Sequence, residues 1–176
     1  MGLLCLWAGV FAHSQTDVNA QLFKSAMAGD FKEAKSLLAK DADVNSATEK
    51  GLTPLMLASL RGHGDLVTLF IEKGAKVNQK DGSGMTALMA AAKQGNMDVV
   101  KILVKHHAEV NDRSAKGFSA LSLAAMDGRL DVVKFLVDAK ADLAAKSADG
   151  MTARDLANMN NKQNVVEFLS TVENKN

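Results

Sequence analysis

The chain has 176 residues, 47% hydrophobic and 23% charged, which is enough apolar material to bury a core and fits one soluble globular or repeat domain. Its 21 Lys and Arg against 20 Asp and Glu leave a formal charge of +1, so no strong field exists to collect nucleic acid or an anionic membrane. The single cysteine, Cys5, and the single tryptophan, Trp7, fall in the first ten residues, so disulfides and cysteine metal sites are excluded from the remainder.

The N-terminus differs from the rest. Leu3 to Ala12 form an apolar run, followed by His13 and Ser14 and then polar residues from Gln15 to Asn19. The run resembles a secretory signal peptide, with small Ala12 and Ser14 at the third and first positions before a cut after Ser14. It is too short to span a bilayer. Residues 1–14 are therefore expected to be a leader and residues 15–176 the mature, exported chain, periplasmic or secreted, with no membrane insertion once the leader is gone. No Lys or Arg precedes the run, so two alternatives stay open: Met1 lies inside a longer leader, or the segment is a buried N-terminal helix and the protein is cytoplasmic.

From residue 17 onward the chain repeats itself. Glycine stands at positions 51, 84, 117 and 150, a spacing of 33, and a Thr or Ser follows each two residues later: Thr53, Thr86, Ser119 and Thr152. Self-similarity at this period is the signature of one supersecondary unit stacked on its copies. A second glycine series, Gly62, Gly95 and Gly128, precedes segments with apolar residues at helical spacing, such as Leu66, Val67, Phe70 and Ile71. These glycines end a first helix by adopting φ > 0, and a second helix follows. Ser119 and its equivalents are expected to cap the first helices with their hydroxyls. Each unit closes on a short, strand-like turn such as Gly74-Ala75-Lys76-Val77-Asn78. Five units are expected, at about 17–49, 50–82, 83–115, 116–148 and 149–172. In the last, Asn161 replaces the mid-unit glycine among polar Asn158, Asn160, Lys162, Gln163 and Asn164, as an end open to water requires.

Thr53-Pro54-Leu55, Gly62-His63, Val99-Val100 and the Gly74–Asn78 ending together resemble the ankyrin-repeat family over about residues 17–169. The resemblance implies an all-α solenoid of about five repeats, each a helix-turn-helix with a hairpin-like loop. It also implies a non-catalytic module that binds another protein. Some positions depart from the family pattern. Of the proline column only Pro54 remains, with Ala87, Ala120 and Ala153 elsewhere. The usual His is replaced by Met56, Met89, Ser122 and Asp155, so the family's Thr–His hydrogen bond cannot form. The glycine near the end of the second helix survives as Gly74 but becomes Asp41, His107 and Lys140. If those backbones stay left-handed, each non-glycine costs on the order of 1 kcal/mol.

Candidate chemistry reduces to punctuation. The pair His106-His107 with Glu109 could be a metal site, but His107 fills a glycine column, His106 ends a helix, and sequence neighbours do not face one way on a helix. His63 stands in the family's own Gly-His position and is structural. Gly117-Phe118-Ser119 begins like a nucleophile elbow, yet its fifth residue is Leu121 and it opens a helix after a turn. Asp81-Gly82-Ser83-Gly84 lacks the Lys of a phosphate loop and the alternating acids of a calcium loop, and reads as a hairpin turn. No catalytic residue, metal or cofactor is expected.

The methionines carry the remaining information. By the resemblance, Leu52, Met85, Phe118 and Met151 sit near hairpin tips, and Met27, Leu60, Lys93, Met126 and Met159 late in first helices. Hairpin tips and first helices form the family's concave partner-binding surface. With Met56 and Met89 added, every methionine after the leader except Met97 falls in three columns. Unbranched, polarizable Met adapts to an apolar partner surface. Phe118 is the expected anchor, and Arg61, Lys93, Gln94 and Asp127 the polar rim. Met56 and Met89, in a semi-buried column, could equally pack between units. The reading is a monomeric partner-binding module, with an accessory role toward an exported enzyme (inhibitor, protector or chaperone) as the alternative and a small-molecule enzyme resting on His63, His106 and Ser119 as a third.

Overall fold

The computed structural model describes residues 17–174, all of them in helices, turns or loops. Among these described residues ten helices form five successive pairs. The first pair is α1, residues 17–28, and α2, Phe31–Leu38. The others are α3 (Pro54–Arg61) with α4 (Gly64–Glu72), α5 (Ala87–Gln94) with α6 (Met97–Lys105), α7 (Ala120–Met126) with α8 (Leu130–Asp138), and α9 (Ala153–Met159) with α10 (Gln163–Glu173). The leader reading falls on residues 1–14, outside those described.

Local chemistry starts and stops each pair on the 33-residue period. The hydroxyls of Thr53, Thr86, Ser119 and Thr152 each accept the backbone N–H three residues on, as their N-cap positions require. Gly62 and Gly95 end α3 and α5 in the left-handed conformation, φ 79° and 81°. Two residues then separate the helices, so the second must fold back on the first. In the last unit Asn161 takes the same conformation at φ 57°. Asn is among the residues that tolerate it best. The family's missing Thr–His bond is replaced in two units by reciprocal capping boxes, Ser119 with Ser122 and Thr152 with Asp155. The Thr152 backbone N–H, 3.0 Å away, and its hydroxyl, 2.8 Å away, hold the Asp155 carboxyl below its ordinary pKa.

Packing follows from side-chain size. The facing positions of α3, α5, α7 and α9 carry Ala58, Ala91, Ala124 and Ala157, all fully buried. Small residues let these helices approach closely, and they pack on one another more extensively than do α4, α6, α8 and α10. The second helices bury larger groups: Leu66 and Phe70, Val99 and Leu103, Val132 and Leu136, Val165 and Leu169. A tight layer beside a wider one bends the stack toward the first helices, which therefore line the concave side. Ser59 stands in the adjoining column beside Ala26, Ala92 and Ala125, its Oγ buried with no hydrogen-bond partner among the described residues, at a cost of about 1–3 kcal/mol. At the C-terminal end the core leucine column (Leu22, Leu55, Leu88, Leu121) gives way to exposed Arg154, which pairs with Glu173 at 2.6 Å. A charged residue is tolerated there because, among the described residues, no unit packs over that face.

The strand-like turns of the sequence reading need correction. No strand forms among the described residues, because adjacent hairpin tips share one backbone bond per junction. Gly82 N–H donates to Lys50 O, Ala115 N–H to Ser83 O and Ala148 N–H to Lys116 O, each at 2.9 Å. A ladder of asparagines supports the opposite end of each tail. Asn45 bonds Gly74 O and Lys76 N–H, Asn78 bonds His107 O and Glu109 N–H, and Asn111 bonds Lys140 O and Asp142 N–H. Their carbonyl partners Gly74, His107 and Lys140 share φ > 0, and so does Asp41. The left-handed backbone foreseen for that column is present, with its cost of about 1 kcal/mol at each non-glycine residue.

Replacing Asn111 by Ala removes both of its ladder bonds to the fourth unit. The side chain is exposed, so water recovers part of each, and urea denaturation should register a loss of about 1–2 kcal/mol. No change beyond a few tenths would show that the ladder is incidental.

Candidate functional site

The concave side is assembled from two periodic supports. At the tips, an oxygen four residues upstream accepts the backbone N–H of each residue in the expected binding column. Thr48 Oγ1 holds Leu52 at 3.1 Å, Asp81 Oδ1 holds Met85 at 2.9 Å, Ser114 Oγ holds Phe118 at 3.1 Å and Ser147 Oγ holds Met151 at 3.2 Å. Glycine is required beside them for two reasons. Gly51 and Gly84 have φ of 79° and 77°, and a Cβ on either would meet the next unit's backbone at 2.9 and 2.7 Å. Gly150, with no unit after it, keeps the φ requirement alone: nothing lies within 4 Å.

The second support fixes the ends of the first helices. His63 Nε2 lies 3.3 Å from Met27 O, Asn96 Nδ2 donates to Ser59 O and Leu60 O, and Arg129 Nε donates to Lys93 O. Each side chain comes from the following unit and satisfies carbonyls left over at a helix C-terminus. His63 therefore has a structural task, as its place in the repeat implied. Asn96 and Arg129 share that task and were missed, because their column carries a different residue in every unit and only the common offset relates them.

Between the second and third units these supports frame a hollow of about 210 Å³. Six of the twelve expected binding residues meet there: Leu52, Met56 and Leu60 from one unit, Met85, Lys93 and Gln94 from the next. Leu57 and Ala90 also line it and were not foreseen, since an Ala and a mid-helix Leu carry no signal of exposure. Asp81 lies at the rim with its Oδ1 already accepting from Ser83 N–H, Ser83 Oγ and Met85 N–H. A second, shallower depression of about 410 Å³ lies one unit earlier, lined by Phe23, Lys24, Met27, Ala28 and Arg61. Phe118, Met126, Asp127 and Met151 lie further along the same side, half-buried, and join neither hollow.

Two columns separate within the methionine set. Met89 is 1% exposed and belongs to the core between units, so its place in a binding surface is corrected: a side chain without surface cannot touch a partner. Met56, at 4%, floors the hollow and offers only a fragment of its surface. Their column faces the neighbouring first helix, where Ala residues leave room for a long side chain. Met85, Met126 and Met151 remain half-buried, and Met159 is 65% exposed. His106 and His107 cap α6 and its turn. Among the described residues no cluster of three or more His, Cys, Asp or Glu has metal-binding geometry, and no helix is long and apolar enough to cross a membrane.

Five helix pairs stacked on a 33-residue period, with glycine tips and a concave first-helix layer, define a helical repeat solenoid. A family model described as Ankyrin repeats (3 copies) matches residues 22–114 and again 109–176, and the chain belongs to the ankyrin-repeat family. Members of that family are generally protein–protein interaction modules and typically non-catalytic. No curated protein matches the chain.

Met89→Ala should destabilise the protein by about 2–5 kcal/mol in chemical denaturation. Met151→Ala should cost below about 1 kcal/mol. Equal losses would place both columns in the core.

Proposed function

We propose that this protein is a non-catalytic binding module that acts after export and engages a partner protein through its concave side, by hairpin tips and first-helix ends. One observation carries the reading: the expected binding residues of two neighbouring units converge on an apolar hollow that opens on that side. The supports behind it are rigid. Tips and helix ends are each tied to the next unit through backbone groups, so little freedom is lost when a partner docks. The polar rim of Arg61, Gln94 and Asp127 would set orientation more than affinity.

Purification from the native host, with the co-eluting protein identified, supplies the partner. Met85→Ala combined with Phe118→Ala should then weaken its binding by about tenfold or more, the range of interface hot spots, while helix content and melting stay close to the parent. Unaltered affinity, or loss of the fold, would overturn the concave-side reading.

Export rests on the apolar run from Leu3 to Ala12 and the small residues after it. Mass spectrometry of the mature protein should find a chain beginning at Gln15. That chain contains neither Trp nor Tyr and should absorb almost nothing at 280 nm. A chain beginning at Met1 would refute the leader.

A further inference from the structure

The concave side is not uniform along the stack. In the second and third units the column behind the tips carries Met56 and Met89, whereas the fourth and fifth carry Ser122 and Asp155, both closed into capping boxes. The column at the first-helix ends runs from Arg61 and Gln94 to Asp127 and Asn160. Behind the tips, methionine in the second and third units thus gives way to polar side chains in the fourth and fifth.

Cations outnumber carboxylates by three to one at the two hollows. Lys24 and Arg61 line the first and Lys93 the second. None of the three makes an ion pair among the described residues; the pairs that form are Lys80–Asp112 and Arg154–Glu173. One period beyond Lys93 stands Met126, and Asp127 follows Gln94 in the helix-end column. The one carboxylate at the deeper hollow is Asp81, and three hydrogen bonds from its own turn engage its Oδ1.

Size completes the description. An apolar cavity of about 150 Å³ accommodates benzene, so a hollow of about 210 Å³ takes a phenyl ring or a leucyl side chain. Leu52, Leu60 and Met85 supply an adaptable apolar wall, and Lys93 stands at the edge, where a flanking group of the guest would lie.

From these observations we infer that the partner presents an acidic segment with a protruding Phe or Leu, which seats its apolar side chain in the hollow between the second and third units and sets a neighbouring Asp or Glu against Lys93, with Arg61 and Lys24 meeting further acidic residues one unit away. This rests on the concave-side reading above and narrows it to the first three units. A basic segment would meet like charge at all three cations.

The test is selection of a displayed random peptide library on the immobilised full chain. Enriched peptides should carry Phe or Leu beside Asp or Glu, and should bind at least tenfold more weakly to Lys93→Glu and to Ala90→Leu, which fills the hollow, with melting of both variants unchanged. A charge-reversed peptide, with Lys in place of the acidic residue, should recover binding to Lys93→Glu. Peptides lacking acidic residues, or binding Lys93→Glu as tightly as the parent, overturn the inference. If such peptides still depend on Met85 and Phe118, the concave-side reading survives; if no concave substitution affects them, both fall. Failure to enrich any peptide on the parent over Lys93→Glu also overturns it.

Discussion

No helix pair of this chain can complete itself. Each buries an apolar flank on its neighbour, and at three junctions apiece the neighbour also satisfies carbonyls at the end of a first helix or at a hairpin tip. Burial of Ala58, Ala91 and Ala124 against neighbouring first helices, the reach of His63, Asn96 and Arg129 to the preceding helix end, and the tip bonds from Gly82, Ala115 and Ala148 are three expressions of that dependence. Buried or half-buried backbone polar groups are costly when unpaired, so the stack gains most of its stability at junctions rather than within units.

The same dependence explains where the chain departs from its own repeat. Gly51 and Gly84 face a following backbone that a Cβ would strike; Gly150 faces nothing. The asparagine ladder runs through Asn45, Asn78 and Asn111, and Ala144 stands at the next position, with no later tail among the described residues. Likewise the leucine column closes on Arg154. Departures concentrate where a neighbour is missing, and each replaces a contact with a group compatible with water.

Function grows from the surface this arrangement leaves over. Because tips and helix ends are tied to the next unit, the side chains between them are presented on a stiff frame. Variation in the frame is small and variation between its members is large: Met56 and Met89 give way to Ser122 and Asp155, Arg61 to Asp127. A uniform scaffold thus carries side chains that differ from unit to unit, and variation of this kind is what partner selection requires.

Much of the fold was readable along the chain because its determinants are local. A left-handed turn needs glycine or a tolerant substitute, a helix start needs a hydroxyl, and the 33-residue spacing aligns them, so Thr53, Gly62, Ser119 and Asn161 could be assigned their tasks from sequence alone. The same coordinates moved His63 and Ser119 out of candidate chemistry. Depth was not readable in this way. Met85 and Met89 are four residues apart with identical chemistry, yet one borders a hollow and the other fills the core, because the distance between neighbouring first helices is decided by side chains on both. The asparagine ladder, the varied donors at helix ends and the hollow at Leu57 and Ala90 likewise belong to pairs of units. What a single unit specifies by conformational preference, the sequence determined; what arises where two units meet, only the tertiary structure decided, because approach distance depends on the bulk of both partners at once.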